Sequence, residues 1–241
     1  MVRESHIRSP ASTTRAIDIW PVLIGASKEK ATAFMPLLSP EERERAGRFH
    51  FEHLRTSYIA AHGAVRILLE RYSGIPAAEI QYRFGPKGKP SIWPAGSLEF
   101  NLSHSGFVML VAVAFGCQLG VDLEQVRPVP ELRDIARRFF CEEEVAELET
   151  LPVDEQERAF FICWTQKEAY LKATGEGLSA PLDSFRVPLG RAKADLRVHG
   201  CTLLQLRSPE MPAGYVGAVA YTGHARPVCV MRCIDCADLL G

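Results

Sequence analysis

Apolar positions along the chain recur in two rhythms, and these divide it into elements. Residues 17–24 form a short apolar run that reads as a strand. Ser39-Pro40-Glu41-Glu42 is a helix start, with a Ser cap, Pro at the first helical position and acids in the first turn. The helix it opens is read as carrying Arg43, Arg45, Arg48 and Arg55. A second helix is predicted over residues 58–72, where Ile59, His62, Val65, Leu68 and Leu69 share a face and Gly74 stops the pattern. Gly85-Pro86-Lys87-Gly88-Lys89-Pro90 is a turn-rich loop. Residues 98–102 read as a strand running into Ser103-His104-Ser105-Gly106. The nearly continuous apolar run 107–115 reads as a buried strand, and a turn at 116–118 leads to another over 119–124.

The second half repeats the order of helices followed by short strands. Leu132, Ile135, Ala136, Phe139 and Phe140 have helical spacing, as do Val145 and Leu148. Phe160, Phe161, Trp164, Tyr170 and Leu171 belong to a further helix ending at Gly175. Strands follow near 185–187, 203–206, 215–221 and 228–231. The first residues, 1–15, are polar and without period, and read as a loose tail. The predicted fold class is α+β: two similar α/β lobes, each a small, mainly antiparallel sheet packed with helices. The division expected is residues 1–118 for the first lobe and 119–241 for the second.

Chemistry enters with two segments. Trp164-Thr165-Gln166-Lys167-Glu168-Ala169-Tyr170-Leu171-Lys172 sets Glu168 and Lys172 four residues apart, neighbours on one helical face. Gly120-Val121-Asp122-Leu123-Glu124 places two carboxylates at alternate positions, so a strand aims both the same way. Three carboxylates and an ammonium reaching one point would make a site for a magnesium ion and a phosphate. Each segment alone also has a plainer reading. Glu168 and Lys172 could be a surface ion pair contributing about 0.3–0.5 kcal/mol, and Asp122 and Glu124 the wet face of an edge strand. Ser103-His104 lacks the flanking glycines of a nucleophile elbow, and adjacent residues are badly placed to act as nucleophile and base.

Composition narrows the classes. The 241 residues fit one large domain or two small ones, and 47% are apolar, enough for a packed core. The net charge of −1 favours neither nucleic acid nor an anionic membrane, so any phosphate must be held by local charge. No run approaches membrane-spanning length, and 17–24 is too short and too interrupted for a signal peptide. The seven cysteines are an odd number, read as free thiols of a cytoplasmic protein. Cys233-Ile234-Asp235-Cys236 has a C-x-x-C spacing, but only His224 lies near as a further zinc ligand; buried or edge-strand thiols fit better.

Four blocks in order, Gly88-Lys89-Pro90, Asn101-Leu102-Ser103-His104-Ser105, Gly120 to Glu124 and Trp164 to Lys172, resemble the Sfp-type 4'-phosphopantetheinyl transferases. Phe139-Phe140 and Gly175-Glu176-Gly177-Leu178 stand where that family has similar residues. The resemblance implies a two-lobed monomer that binds coenzyme A between its lobes. Its phosphopantetheine arm would pass to a serine of an apo acyl or peptidyl carrier protein, releasing adenosine 3',5'-bisphosphate. It implies that Asp122, Glu124 and Glu168 hold Mg²⁺ and that Lys172 meets the pyrophosphate. Glu168, or a water on the metal, would take the serine proton. Ser103 and His104 would contact coenzyme A phosphates, Lys89 and Pro90 (with Lys87 beside them) would line the nucleotide end, and Arg45 and Arg48 would face the 3'-phosphate. Two departures stand out. Glu42 occupies a place where relatives carry a lysine, and Cys141 stands where a Ser or Thr cap is usual, so its helix start is expected to fray. Residues 126–140, with Arg133, Arg137 and Arg138, are the candidate carrier-facing strip. A non-catalytic binder of coenzyme A or carrier, and a metal-dependent pyrophosphate hydrolase, are the alternatives.

Overall fold

The computed structural model describes residues 16–94, 96–175, 177, 181–189, 193–198 and 202–240. The tail at 1–15 and the residues Glu176 and Leu178 of the glycine segment lie outside the described residues. In chain order the elements are β1 (Ile17–Leu23), α1 (Lys28–Phe34), α2 (Pro40–Gly47), α3 (Glu52–Ser73), β2 (Gln81–Phe84), β3 (Pro90–Trp93), β4 (Leu98–Ser105), β5 (Val108–Phe115) and β6 (Leu119–Gln125). Then come α4 (Leu132–Phe139), α5 (Glu142–Thr150), α6 (Val153–Thr174), β7 (Lys193–Val198), β8 (Thr202–Arg207), β9 (Tyr215–Thr222), β10 (Val228–Val230) and β11 (Ile234–Asp235).

Two sheets carry the fold. The first has the order β10-β1-β5-β4, with β11 also pairing β1, and the second is the antiparallel sheet β6-β9-β8-β7. Strands β2 and β3 form a separate hairpin around the lysine loop. Helices α1 and α3 cover one face of the first sheet through a core that includes Phe34, Leu68, Leu69 and Val111. Helix α6 covers the second sheet, burying Phe161, Ala169 and Leu171 against Leu204, Val216 and Ala218. A third core joins the two: Ile17, Ile19, Leu110 and Ala112 of the first sheet meet Leu119, Val121, Leu123, Val219 and Tyr221 of the second.

The structure corrects several expectations. Residues 228–235, assigned to the second lobe, return to the first sheet and run parallel to β1, since the pairing partner is chosen by long-range burial and not by neighbouring residues. The helix expected at 58 starts at Glu52, because its polar first turn shows no apolar period, so Arg55 lies on α3 and not on α2. Residues 185–187 are not a strand. They follow a single 3₁₀ turn at Leu182–Ser184, and the Val187 N–H donates to the buried Glu144 carboxylate at 2.6 Å. The same carboxylate accepts from Cys141 N–H at 2.9 Å and from Lys167 at 2.8 Å, so the start of α5 is held from its third residue in place of a strong side-chain cap. Strand β4 runs on through Ser105, with a two-residue turn at Gly106-Phe107. Gly106, at φ 57°, sits at the first turn position, where a glycine supplies the left-handed backbone.

Candidate functional site

The site begins with a glycine. A Cβ on Gly120 would lie 2.2 Å from the Ala169 carbonyl oxygen and 2.3 Å from the Ala173 nitrogen. Without a side chain there, β6 lies directly under α6. Alternation along the strand puts Gly120, Asp122 and Glu124 on one face, and α6 presents Glu168 and Lys172 on consecutive turns above it. The two segments singled out in the sequence are therefore brought together by backbone contact.

Asp122 is the centre. It is 5% exposed, and its Oδ1 accepts from Lys172 Nζ at 2.7 Å and from Ser103 Oγ at 2.7 Å. Its other oxygen, Oδ2, is buried and has no hydrogen-bond partner among the described residues. Burial pushes the Asp122 carboxyl above its ordinary range, while Lys172 and Ser103 pull it back. Glu124 accepts from Ser105 Oγ at 2.7 Å, with Arg127 at 3.5 Å. Glu168 is half-buried, and among the described residues no group donates a hydrogen bond to it. Its carboxyl is raised by burial first, then by the field of Asp122, with Lys172 opposing.

Of the predicted metal ligands, Asp122 and Glu124 share one face of β6, and the charges of both act on Glu168 of α6. Among the described residues, no three such side chains already converge closely enough to cage an ion. The donor set nevertheless fits Mg²⁺, which uses one or two carboxylates and completes its shell with water and substrate phosphate. A bare, buried carboxylate oxygen costs free energy unless a donor or cation meets it, and Asp122 Oδ2 is such an atom.

The residues predicted around coenzyme A divide. A cleft of about 1020 Å³ lies over the first lobe, lined among others by Arg45, Tyr58, His62, Tyr82, Phe84, Pro90 and His104. Its volume is large for a small-molecule site. Of the residues expected around coenzyme A, Arg45, Pro90 and His104 line this cleft. The others are elsewhere. Ser103 lies on the opposite face of β4 and spends its hydroxyl on Asp122. Lys89 turns inward and donates to the Leu119 carbonyl at 2.7 Å, tying the lysine loop to the start of β6, and burial lowers its pKa. Lys87 is exposed on that loop, where its stem lies next to Gly177. Arg48 is the C-cap of α2 and pairs with Glu44 at 2.5 Å, outside the cleft. The lysine-to-glutamate departure also finds its reason. Glu42 closes the capping box of α2 with Ser39 and accepts from the fully buried Arg66 at 2.7 Å and from His62 at 3.0 Å. Burial opposes its charge, but His62, the Ser39 N–H and Arg66 together hold its carboxyl below the ordinary value.

Sequence reasoning missed Asn101 and Ser105. Both are buried on the face of β4 that carries Ser103, and both bind β6: Asn101 Oδ1 accepts from Val121 N–H at 2.8 Å, and Ser105 Oγ accepts from Gln125 N–H at 3.1 Å. The signal was three polar residues at alternate positions in a strand, a pattern that also fits a solvent-facing edge. The carrier-facing strip is less apolar than expected, because Val126, Val129, Leu132, Ile135 and Phe139 pack against the second core. It exposes Arg127, Arg133, Arg137 and Arg138 together with the acids Glu131 and Asp134, and Arg137 is already paired to Glu149 at 2.8 Å.

Residues 118–212 match the 4'-phosphopantetheinyl transferase superfamily, and residues 25–115 match the family described as 4'-phosphopantetheinyl transferase, N-terminal. The chain belongs to the 4'-phosphopantetheinyl transferase superfamily. It is 34% identical to the 4'-phosphopantetheinyl transferase HetI of Nostoc sp., over 78% of this chain and 82% of that one. It is 36% identical to the 4'-phosphopantetheinyl transferase Sfp of Bacillus subtilis, over 68% and 71%. To the Bacillus subtilis transferase ffp it is 33% identical, over 83% and 88%.

Proposed function

We propose that this protein transfers the 4'-phosphopantetheine arm of coenzyme A to a serine of an apo acyl or peptidyl carrier protein, in a Mg²⁺-dependent reaction releasing adenosine 3',5'-bisphosphate. One observation supports this most: Lys172 and Ser103 hold the same oxygen of Asp122 and leave the other buried without a partner among the described residues, in a carboxylate whose field reaches Glu168. Asp122, Glu124 and Glu168 would hold the cation, which when bound neutralises the pyrophosphate and stabilises charge on the leaving phosphate.

The chain's own groups do the rest. Arg45 and His104 supply positive charge and hydrogen bonds along the cleft wall for the nucleotide end, and Tyr58 and Tyr82 supply apolar faces. Lys172 bridges from Asp122 towards the pyrophosphate and steadies its developing charge. Glu168 takes the proton of the carrier serine as its Oγ bonds to the phosphorus bearing the pantetheine arm and the bond to the bridging oxygen breaks. Among the described residues no group donates a hydrogen bond to Glu168, so one oxygen is left for this proton when the other meets the cation, and a raised pKa brings it nearer to a useful base at neutral pH. Cleft and acidic site are both built from a single chain, which suits a monomer.

Incubation with coenzyme A, Mg²⁺ and a panel of apo carriers tests this by mass spectrometry. Each productive carrier gains one phosphopantetheine arm, and the panel identifies the preferred partner. Coenzyme A cleavage without any gain by a carrier would replace transfer by hydrolysis, and neither event would leave a binding role.

A further inference from the structure

Strand β6 borders its sheet, with β9 on one side and, among the described residues, no strand paired on the other. Its open edge is instead met by side chains of β4. Asn101 binds the Val121 N–H, Ser103 binds the Asp122 carboxylate, and Ser105 binds both the Gln125 N–H and the Glu124 carboxylate. These three residues alternate along β4, so one face of that strand forms a polar ladder down β6. Asn101, Ser103 and Ser105 are 6%, 8% and 8% exposed, too buried for these bonds to be traded freely with water.

From this ladder we infer that Ser105 is a positioning residue for the metal site, acting through Glu124 as Ser103 acts through Asp122. The inference rests on the Mg²⁺ reading above. Each hydroxyl takes one oxygen of one carboxylate: Ser103 holds Asp122 Oδ1, and Ser105 holds Glu124 Oε2. The second oxygen of each side chain is left for a cation. Ser105 suits this role because its own position is fixed. It accepts from the β6 backbone through the lone pairs of the hydroxyl that donates to Glu124. The Gly106 turn that follows lies so close to Gln125 and Tyr215 that a Cβ there would come within 2.8 Å of Gln125 Oε1 and 3.0 Å of the Tyr215 hydroxyl. Glu124 is the more exposed acid of the pair, on the last turn-ward stretch of β6, and without Ser105 only the distant, exposed Arg127 would orient it. Partners that orient a metal ligand in this way typically change metal affinity by about 10–100-fold when removed.

Mn²⁺ binding, followed by the paramagnetic resonance of the free ion with coenzyme A present and no carrier, reads this without turnover. Wild-type protein should bind, Ser105→Ala should bind about tenfold or more weakly, and Ser105→Thr, which keeps the hydroxyl, should stay within about threefold of wild type. In turnover assays Ser105→Ala should raise the Mg²⁺ concentration for half-activation while leaving the KM values for coenzyme A and carrier within about twofold. Equal Mn²⁺ affinity in wild type and Ser105→Ala would overturn the inference and leave the metal reading standing. Absence of Mn²⁺ binding by wild type would overturn both. Should Ser105→Ala not fold, a loss of about tenfold or more in folded Ser105→Thr would refute the role, because that variant retains the donor.

Discussion

Gly120→Ala is the sharpest perturbation of the proposed site, since it adds one methyl group and removes no functional atom. That carbon would lie 2.2 Å from Ala169 O, 2.3 Å from Ala173 N and 2.8 Å from the Lys172 carbonyl carbon. All three obstacles are backbone, so no side chain can turn aside, and ordinary contact near 3.4 Å requires α6 and β6 to separate by about 1 Å. Overpacking of this kind costs about 1–3 kcal/mol, and the upper end applies where backbone must move. At this chain length each kcal/mol lowers the melting temperature by about 2–4 °C. Activity should suffer more than stability. The Lys172–Asp122 bond of 2.7 Å would stretch beyond hydrogen-bonding range, and a misplacement of about 1 Å at a reacting centre can cost about 100-fold in rate. Thermal or urea unfolding gives the first quantity, and carrier mass gain over time gives the second. A variant within about 0.5 kcal/mol and twofold in rate would refute the view that close contact of strand and helix builds the site.

Other perturbations have signs that the geometry fixes. Glu168→Gln should abolish transfer yet stabilise the metal-free protein near neutral pH. The wild-type carboxyl is raised in the folded state, so its favourable contribution is complete below the ordinary carboxylate range and is lost as pH rises through the folded value. The melting difference between variant and wild type should therefore grow from pH 4 to 8, and a flat difference would contradict the burial argument. Glu42→Ala should destabilise by about 3–5 kcal/mol in urea, because it strands the fully buried Arg66 guanidinium without its carboxylate. A loss below about 1 kcal/mol would show that pair to be dispensable. Cys141 has its thiol pushed up to about 11 by burial; the Glu144 N–H opposes this, and the carboxylates of Glu144 and Glu143 add to it. Iodoacetamide at pH 8 should label it about a hundredfold more slowly in the folded protein than in urea.

The acidic segments were legible because each follows a local rule. Alternation in a strand aligned Asp122 with Glu124, and the spacing of four aligned Glu168 with Lys172. What joins them is Gly120, whose role is visible only when a helix lies on it. Lys89 and Ser103 were misread for a related reason. A lysine in a glycine loop and a serine before a histidine look ready for a phosphate, but the reach of each is set by a strand from the other half of the chain. Nothing near Lys89 announces the Leu119 carbonyl, and nothing near Ser103 announces Asp122 except their shared family order. The return of residues 228–235 to β1 is likewise a non-local pairing, for which local periodicity carries no information.

Strand β4 explains why two lobes are needed for one site. Its two faces have different tasks, separated by the alternation of a single strand. Phe100, Leu102 and His104 line the cleft, whereas Asn101, Ser103 and Ser105 bind the acidic strand of the other sheet. A nucleotide held on the first face therefore needs to send its pyrophosphate only around the edge of β4 to meet Asp122 and Lys172. The arrangement works if the sheets do not slide, and an apolar contact resists sliding: Ile19, Leu110 and Ala112 are fully buried in one cluster with Leu119, Val121 and Val219. Polar rungs set the register, since Asn101, Ser103 and Ser105 of β4 each bind β6 and a slip would leave several buried groups unpaired at about 1–3 kcal/mol each. Leu110→Asp, which forces a charge into that contact, should for this reason cost transfer activity although Leu110 touches neither cleft nor carboxylate, and retention of both full activity and wild-type stability would show that the two sheets do not need this contact to hold the site together.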